Sequence, residues 1–161
     1  MTTEFAQLGL ILQLEQTLSD LGYITPTPIQ SVIIPLMVDG HDVIGQAQTG
    51  TGKTAAFILP ILQTLERGRC GIQALVLTPT RELAIQVAKA ADQYGKRLNV
   101  HVLAVYGGQP YNLQINRVRQ GVDIVVGAPG RLLDLIDKLD LVLGCVRTLV
   151  LGEAAEMLSM S

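Results

Sequence analysis

A glycine-rich stretch, Ala47–Thr54, constrains the fold of this chain more than any other part of the sequence. A short apolar run, Asp42–Gly45, precedes it, and a segment of helical character, Thr54–Leu59, follows it. The order of strand, glycine-rich loop and helix is the context of a phosphate-binding loop, because glycines let several backbone N–H groups point at one centre. The strict pattern begins with glycine and this loop with Ala47, so the stretch predicts a relaxed phosphate loop. The alternative is a turn that binds nothing.

The last two residues of the loop carry the chemistry that phosphate needs. We predict that Lys53 reaches the β- and γ-phosphates and acts in catalysis, and that the Thr54 hydroxyl contacts a magnesium ion. The other loop residues expected to bind the nucleotide are Gln48, Thr49, Gly50, Thr51 and Gly52.

Composition restricts the protein class. Of the 161 residues, 48% are hydrophobic and 16% are charged, which fits a sheet covered by helices. No apolar run reaches the roughly 20 residues of a membrane span and no signal peptide is apparent, so a cytoplasmic location is expected. Cys70 and Cys145 are expected to be buried thiols. The net charge is −2, and nine of the 12 basic residues lie in residues 81–161, so contact with a polyanion should come from that half.

The hydrophobic pattern predicts alternating strands and helices. Leu10, Leu14 and Leu18 indicate an amphipathic first helix, and a second covers Ile29–Met37. Strands are expected at Val43–Ile44, Ala74–Leu77, Val100–Val105, Ile124–Val126 and Thr148–Leu151, with helices near 53–66, 81–94, 110–120 and 130–138. Apolar strands separated by helices are typical of a mostly parallel α/β sheet with helices on both faces.

Six stretches occur in a fixed order: Phe5 with Gly22–Gln30, Ala47–Thr54, Pro79–Ala84, Gly107–Gly108, Ala128–Arg131 and Gly152–Ala155. Together they resemble the Q motif, motifs I and Ia, the paired glycines, and motifs Ib and II of the DEAD-box RNA helicases. The resemblance covers nearly the whole chain. It implies that residues 1–161 form the amino-terminal RecA-like P-loop NTPase domain of an ATP-dependent helicase, with a Q-motif region at 1–30 and a P-loop core at 41–161.

The Q-motif resemblance assigns the base-binding side of an ATP site. The Gln30 amide has the donors and acceptors that pair with the N6 and N7 edge of adenine, which favours ATP over GTP. The resemblance implies that Phe5 stacks on the adenine and that Tyr23 and Thr25 also contribute. The alternatives are a core aromatic for Phe5 and a helix-surface glutamine for Gln30.

Three loops at strand ends resemble the RNA-binding loops of the family. Arg81 and Arg131 each start a helix, where backbone N–H groups and a guanidinium can hold a phosphate together. The resemblance implies contact with the backbone of single-stranded or duplex RNA without sequence reading, and the alternative is a surface ion pair with a neighbour such as Asp134. The predicted RNA-binding residues are Pro79, Thr80, Arg81, Gly107, Gly108, Pro129, Gly130 and Arg131.

Motif II departs from the family pattern of Asp-Glu-Ala-Asp. Both aspartates are replaced, by Gly152 and Ala155, whereas Glu153 is retained as the expected catalytic carboxylate. The first aspartate would hold magnesium, and Gly152 offers no ligand. We therefore expect a weakened magnesium site and strongly impaired hydrolysis, with losses on the scale of several kcal/mol.

The resemblance further implies parts that are not among these residues, namely a Ser-Ala-Thr motif on another strand and a second RecA-like domain. The missing strand would lie between the P-loop strand and the strand ending at Leu151. We expect a rearranged segment, a widened sheet, the second domain or self-association to close the gap. The chain alone should not unwind RNA. The alternative function is a non-catalytic module that binds nucleotide, RNA or protein.

Overall fold

The computed structural model describes residues 3–68, 71–139, 143–153 and 157. The chain divides into two compact units. The first consists of Met1–Leu65 and Gln93–Asn99, and the second of Glu66–Asp92 and Val100–Ser161. Each unit is described by itself, and the prediction of one domain over residues 1–161 stays a prediction.

The first unit is helical. A short 3₁₀ helix, Glu4–Leu8, precedes α1 (Leu12–Asp20), α2 (Pro28–Val38) and α3 (Lys53–Thr64). Leu14 and Leu18 on the predicted apolar face of the first helix are buried, which confirms that face, whereas Leu10 is buried but precedes α1. Pro28 is the first residue of α2, where its missing N–H leaves no hydrogen bond unmade. Helix α2 packs against α3, and this packing brings the Q-motif region to the phosphate loop.

The second unit is a parallel sheet connected by helices. Its elements in chain order are β1 (Ala74–Leu77), α4 (Arg81–Tyr94, whose last two residues belong to the first unit), β2 (Val102–Val105), α5 (Tyr111–Gln120), β3 (Ile124–Gly127), α6 (Pro129–Leu139) and β4 (Thr148–Leu151). The strand order is β2-β3-β1-β4, and every pairing is parallel. This confirms the predicted α/β class.

The sheet buries the core of the second unit. Every residue of β3 is buried, so both of its faces are covered, as expected for a central parallel strand. Val105 and Leu75 lie in one apolar cluster with residues of α6 such as Leu135. Glycine is required at position 127, since a Cβ there would lie 2.4 Å from Val105 Cγ2. The carboxyl ends of these strands carry the loops that the sequence singled out.

The strand predicted at Val43–Ile44 is wrong. Residues 41–48 have no regular secondary structure, and Ile44 is fully exposed. The reason is that an extended segment becomes a strand only when a neighbour accepts and donates its backbone hydrogen bonds. Apolar composition alone provides no such neighbour.

The last strand, β4, lies at an edge of the sheet. It pairs with β1 on one side, and no strand of the described residues pairs with its other side. Leu149 is 57% exposed and Leu151 is 54% exposed. The gap expected beside this strand is therefore not closed by a rearranged segment in the part of the chain that the structure describes. No helix among the described residues is long and apolar enough to cross a membrane.

Candidate functional site

The glycine-rich loop ends in a left-handed turn that starts α3. Gly50 has a φ of 81° and Gly52 a φ of 82°, values that glycine adopts without a steric penalty. Gly52 caps the helix, and its carbonyl accepts the first helical hydrogen bond from the Ala56 N–H at 3.1 Å. Lys53 and Thr54 are the first two residues of α3 and are both half-buried. The loop thus leads directly into a helix N-terminus, which is the arrangement that favours phosphate.

Gln30 joins the Q-motif region to this loop. Its Nε2 donates to the Gly52 carbonyl at 3.1 Å, and its Oε1 accepts from the Thr27 N–H at 3.0 Å. The side chain is only 3% exposed, so the alternative of a helix-surface glutamine is wrong. Because the amide still has one acceptor lone pair and one N–H proton beyond these two bonds, its pairing with adenine stays a prediction.

The Thr27 hydroxyl is a buried polar atom beside the same loop. Thr27 is the N-cap of α2 and forms a capping box with Gln30, in which its side chain faces the Gln30 backbone N–H and its own N–H donates to Gln30 Oε1. A Cβ added to Gly52 would lie 3.2 Å from Thr27 Oγ1. Thr27 was not predicted as a site residue, although it lies within the Q-motif stretch.

Replacing Gly52 with alanine should break the contact with Gln30. The added Cβ would lie 2.3 Å from Gln30 Nε2 in a left-handed conformation, whereas Gly50 is left-handed with open space around it. We expect Gly50→Ala to cost about 1–2 kcal/mol of stability from the backbone alone. Gly52→Ala should cost roughly 1–3 kcal/mol more from the collision. Thermal denaturation of both variants checks this, and equal losses in the two would contradict the contact.

The other predicted ATP-binding residues differ in how much of each residue is exposed to solvent. Phe5 is 1% exposed, so stacking on adenine requires this ring to become accessible, and that role stays a prediction. Tyr23 is 43% exposed and packs edge-to-face on Tyr94, with the ring centroids 6.1 Å apart. Burial raises the pKa of the Tyr94 hydroxyl, and its contact with Tyr23 raises it further. Thr25 is exposed on the loop between α1 and α2.

The loop after β1 presents Arg81 to solvent. Thr80 caps α4, since its Oγ1 accepts from the Leu83 N–H at 3.2 Å, while Pro79 is buried. Arg81 is exposed, and its guanidinium carbon lies 4.8 Å from the centre of the Tyr106 ring. Tyr106 was not predicted as a site residue, although it follows a strand and directly precedes Gly107.

Arg131 is half-buried and has several partners. Its Nε donates to the Tyr106 carbonyl at 3.2 Å, and its Nη2 donates to the Gln109 carbonyl. Its guanidinium carbon lies 4.0 Å above the Tyr111 ring, and the Tyr111 hydroxyl donates to Asp134 at 2.8 Å. Asp134 is therefore connected to Arg131 through Tyr111. Gln109 and Tyr111 were also missed, because nothing local in the sequence reveals these partners.

The paired glycines lie between these two arginines. Gly107 and Gly108 are exposed, and Gly108 has a φ of 88°. A Cβ on Gly108 would lie 3.7 Å from Arg81 Nη1. Pro129 and Gly130 begin α6 directly before Arg131. The second unit thus brings all three predicted RNA-binding loops to one end of its sheet.

The described part of motif II follows β4 directly. The Gly152 N–H donates to the Leu77 carbonyl at 2.8 Å, which continues the pairing of β4 with β1. Glu153 is exposed and has a φ of 53°, which is uncommon for a residue other than glycine. Ala155 lies outside the described residues. Among those described, no group of three or more His, Cys, Asp or Glu side chains could hold a metal ion.

Comparison with known proteins decides the family. The DEAD/DEAH box helicase family model matches residues 27–161. This chain belongs to the DEAD/DEAH box helicase family. It is 53% identical over 159 residues to the ATP-dependent RNA helicase DeaD of Escherichia coli (strain K12), covering 98% of this chain and 25% of the relative. It is 49% identical over 160 residues to the RNA helicase CrhR of Synechocystis, covering 99% of this chain and 32% of the relative.

Solved structures of DEAD-box proteins have the same fold. A DEAD box protein from Methanococcus jannaschii superposes with a TM-score of 0.91 at 40% identity, over 97% of this chain and 43% of that one. A hypothetical ATP-dependent RNA helicase from Sulfolobus tokodaii gives 0.83 at 44% identity, over 92% of this chain and 43% of that one. The RecA-like fold and the recognition of an amino-terminal DEAD-box domain are thereby confirmed. The chain spans about a quarter of the length of the DeaD relatives it matches.

Proposed function

We propose that this DEAD-box domain binds ATP and RNA, hydrolyses ATP poorly and does not unwind RNA by itself. The names of its relatives, ATP-dependent RNA helicases, support the choice of ligands. In the longer protein, ATP binding and hydrolysis would be coupled to RNA unwinding or remodelling. The chain spans 25% of the length of the DeaD relative from Escherichia coli, so we assign unwinding to a full-length protein of that kind. Its cytoplasmic location is part of the same proposal.

The observation that carries the nucleotide proposal is the contact of Gln30 with Gly52. It fixes a glutamine amide at the end of the phosphate loop, where α3 begins. One lone pair on Oε1 and one proton on Nε2 remain for a ligand, and adenine presents the complementary donor N6–H and acceptor N7. Guanine presents the acceptor O6 in place of N6–H and does not match.

The residues at the phosphate end of the site are better suited to bind a triphosphate than to bind a magnesium ion. Residues 48–54 supply a glycine cradle, a lysine and a helix N-terminus. Thr54 offers one hydroxyl to a magnesium ion, and Gly152 supplies no carboxylate to support it. Glu153 remains as a group to orient the attacking water. The residues therefore favour binding of ATP over its hydrolysis.

The RNA proposal rests on the three loops at one end of the sheet. Together these loops would form the surface that binds the RNA backbone, which gives affinity without sequence reading. The eight residues are those predicted from sequence, Pro79 to Arg81, Gly107, Gly108 and Pro129 to Arg131. No strand of the described residues pairs with the outer side of β4, which supports a further partner that adds a strand, from either the second RecA-like domain or another copy of the chain.

Replacing Gln30 with glutamate tests the assignment of ATP. The unmodified chain should prefer ATP to GTP by about tenfold or more, because each lost or mismatched hydrogen bond costs on the order of 1 kcal/mol. Gln30→Glu removes both N–H donors and should abolish the preference. Competition with a fluorescent nucleotide measures both affinities. The exposed Gln86 of α4 provides the control Gln86→Glu, and equal affinities of the unmodified chain for ATP and GTP would reject the proposal.

A second candidate function is a non-catalytic binding module. The replacement of both motif II aspartates, at positions 152 and 155, favours it. In that function the chain holds nucleotide, RNA or a protein partner without turnover. Phosphate release that depends on Lys53 separates the two candidates.

A further inference from the structure

The two predicted RNA-binding arginines each lie on a tyrosine that the family motifs do not include. Arg81 lies over Tyr106 at 4.8 Å and Arg131 over Tyr111 at 4.0 Å. A guanidinium within about 6 Å of an aromatic centre is attracted to the face of the ring. Each tyrosine therefore restricts the directions that its arginine adopts.

The nitrogen atoms of the two arginines have different surroundings. Arg131 donates to the carbonyls of Tyr106 and Gln109, which are the residues directly before and after Gly107–Gly108. It thus holds the glycine pair at both ends. Arg81 is exposed, and its Nη1 lies beside Gly108. The exposed guanidinium of Arg81 thus lies beside both the Tyr106 ring and the glycine pair.

Further hydrogen bonds fix the same loop. Gln109 Nε2 donates to the Tyr106 hydroxyl at 2.5 Å, and Gln114 Nε2 donates to Gln109 Oε1 at 2.7 Å. Gln114 is 2% exposed, so this series of bonds is anchored in the interior. On the other side, the bond from Tyr111 to Asp134 holds the ring below Arg131. The glycine pair is exposed, yet its flanking residues are fixed from two directions.

We propose that the two arginines have separate tasks in RNA binding. Arg131, seated on Tyr111, is a positioning residue that fixes the Gly107–Gly108 backbone, and Arg81, carried on Tyr106, supplies the phosphate contact. This inference rests on the proposed function. It follows from the geometry because Arg131 is half-buried and donates from Nε and Nη2 to two carbonyls of the loop, whereas Arg81 is exposed.

Salt-dependent binding of a short oligouridylate separates the two tasks. Arg81→Ala should reduce the steepness of the log–log salt dependence by about 0.7, as expected for one lost phosphate contact on a single strand. Arg131→Ala should lower the affinity about tenfold and leave the salt dependence unchanged. Arg131→Lys should not restore binding, because an ammonium group cannot donate to both carbonyls in the planar geometry of arginine.

Two substitutions of Tyr106 test whether its aromatic ring is needed for RNA binding by Arg81. Tyr106→Phe keeps the ring below Arg81 and should bind nearly as well as the unmodified chain, whereas Tyr106→Leu should approach the affinity of Arg81→Ala. The exposed Arg119 of α5 provides the control Arg119→Lys, which should bind RNA normally. Equal binding by Tyr106→Leu and the unmodified chain would contradict the role of the ring.

A measurement without RNA tests the positioning role independently. Backbone ¹⁵N relaxation should show ordered Gly107 and Gly108 amides in the unmodified chain and order parameters below about 0.6 in Arg131→Lys. Arg81→Ala should leave these amides ordered. Normal RNA binding and unchanged relaxation in Arg131→Lys would overturn the inference. If the unmodified chain bound no RNA, the proposed function and the role of Arg81 would both be rejected, and the relaxation data would decide the positioning role.

Discussion

Replacing Gly152 with aspartate should make ATP binding by this chain strongly dependent on magnesium. By resemblance, the family holds the ion through a carboxylate at this position, and glycine provides none. Removing or restoring a partner around a metal site typically changes affinity by about 10–100-fold. We therefore expect the ratio of ATP affinities with magnesium and with a chelator to rise by about that factor.

The local backbone permits a side chain at this position but leaves little room for it. Gly152 is not left-handed, and an added Cβ would lie 3.3 Å from the Leu77 carbonyl oxygen, so the backbone must move by a few tenths of an ångström. The exposed Gly144 is a matched control, since Gly144→Asp adds the same charge where a Cβ meets open space. Adding Ala155→Asp to the Gly152→Asp variant restores the second aspartate of the family's motif II. An unchanged magnesium ratio in the Gly152→Asp variant would show that the magnesium argument is wrong.

Replacing Lys53 with alanine should weaken ATP binding by about 10–150-fold. This range corresponds to the roughly 1.5–3 kcal/mol that a hydrogen bond to a charged group contributes. Lys53 begins α3 at the end of the glycine cradle, so its loss removes the only charged side chain of residues 47–54. Titration with a fluorescent ATP analogue measures the change, and Lys89→Ala, on the exposed face of α4, is the control.

The same variant separates the two candidate functions. RNA-stimulated phosphate release by the unmodified chain that disappears in Lys53→Ala would reject the non-catalytic module. Release at background level in both proteins would support that module. ATP affinity that does not change in Lys53→Ala would instead contradict the assignment of the loop as a phosphate site.

Most of the regular structure could be predicted from the pattern of apolar residues. Four of the five predicted strands are present, and the boundaries differ by at most two residues in strands such as Val102–Val105. Central parallel strands are apolar throughout, so they stand out in a sequence. The fifth strand, at Val43–Ile44, has the same composition and is not formed. Composition marks a segment able to pair, whereas the presence of a neighbour decides whether it does.

The candidate site could be predicted less completely than the fold. The sequence identified Gln30 and Arg131 as site residues. It did not reveal their hydrogen bonds, which join each side chain to residues far away in the sequence. Gln30 bonds to a carbonyl 22 residues away, and Arg131 to carbonyls 25 and 22 residues away. Tyr106 and Tyr111 were missed because an aromatic residue beside a loop has no local signature of what it carries. Such partners depend on how the helices and strands pack against one another. A short segment of sequence carries no information about that packing.

The sequence by itself determined the family resemblance, the α/β class and the absence of the motif II aspartates, and it predicted the phosphate loop. These depend on the order and chemistry of neighbouring residues, such as the glycines of residues 47–54. Only the tertiary structure decided that residues 41–48 form no strand. It also decided that Gln30 donates a hydrogen bond to the Gly52 carbonyl and that Arg131 donates to the carbonyls on both sides of Gly107–Gly108. The physical reason is that hydrogen bonds and ring contacts between distant residues form only when packing brings their atoms within about 3–5 Å.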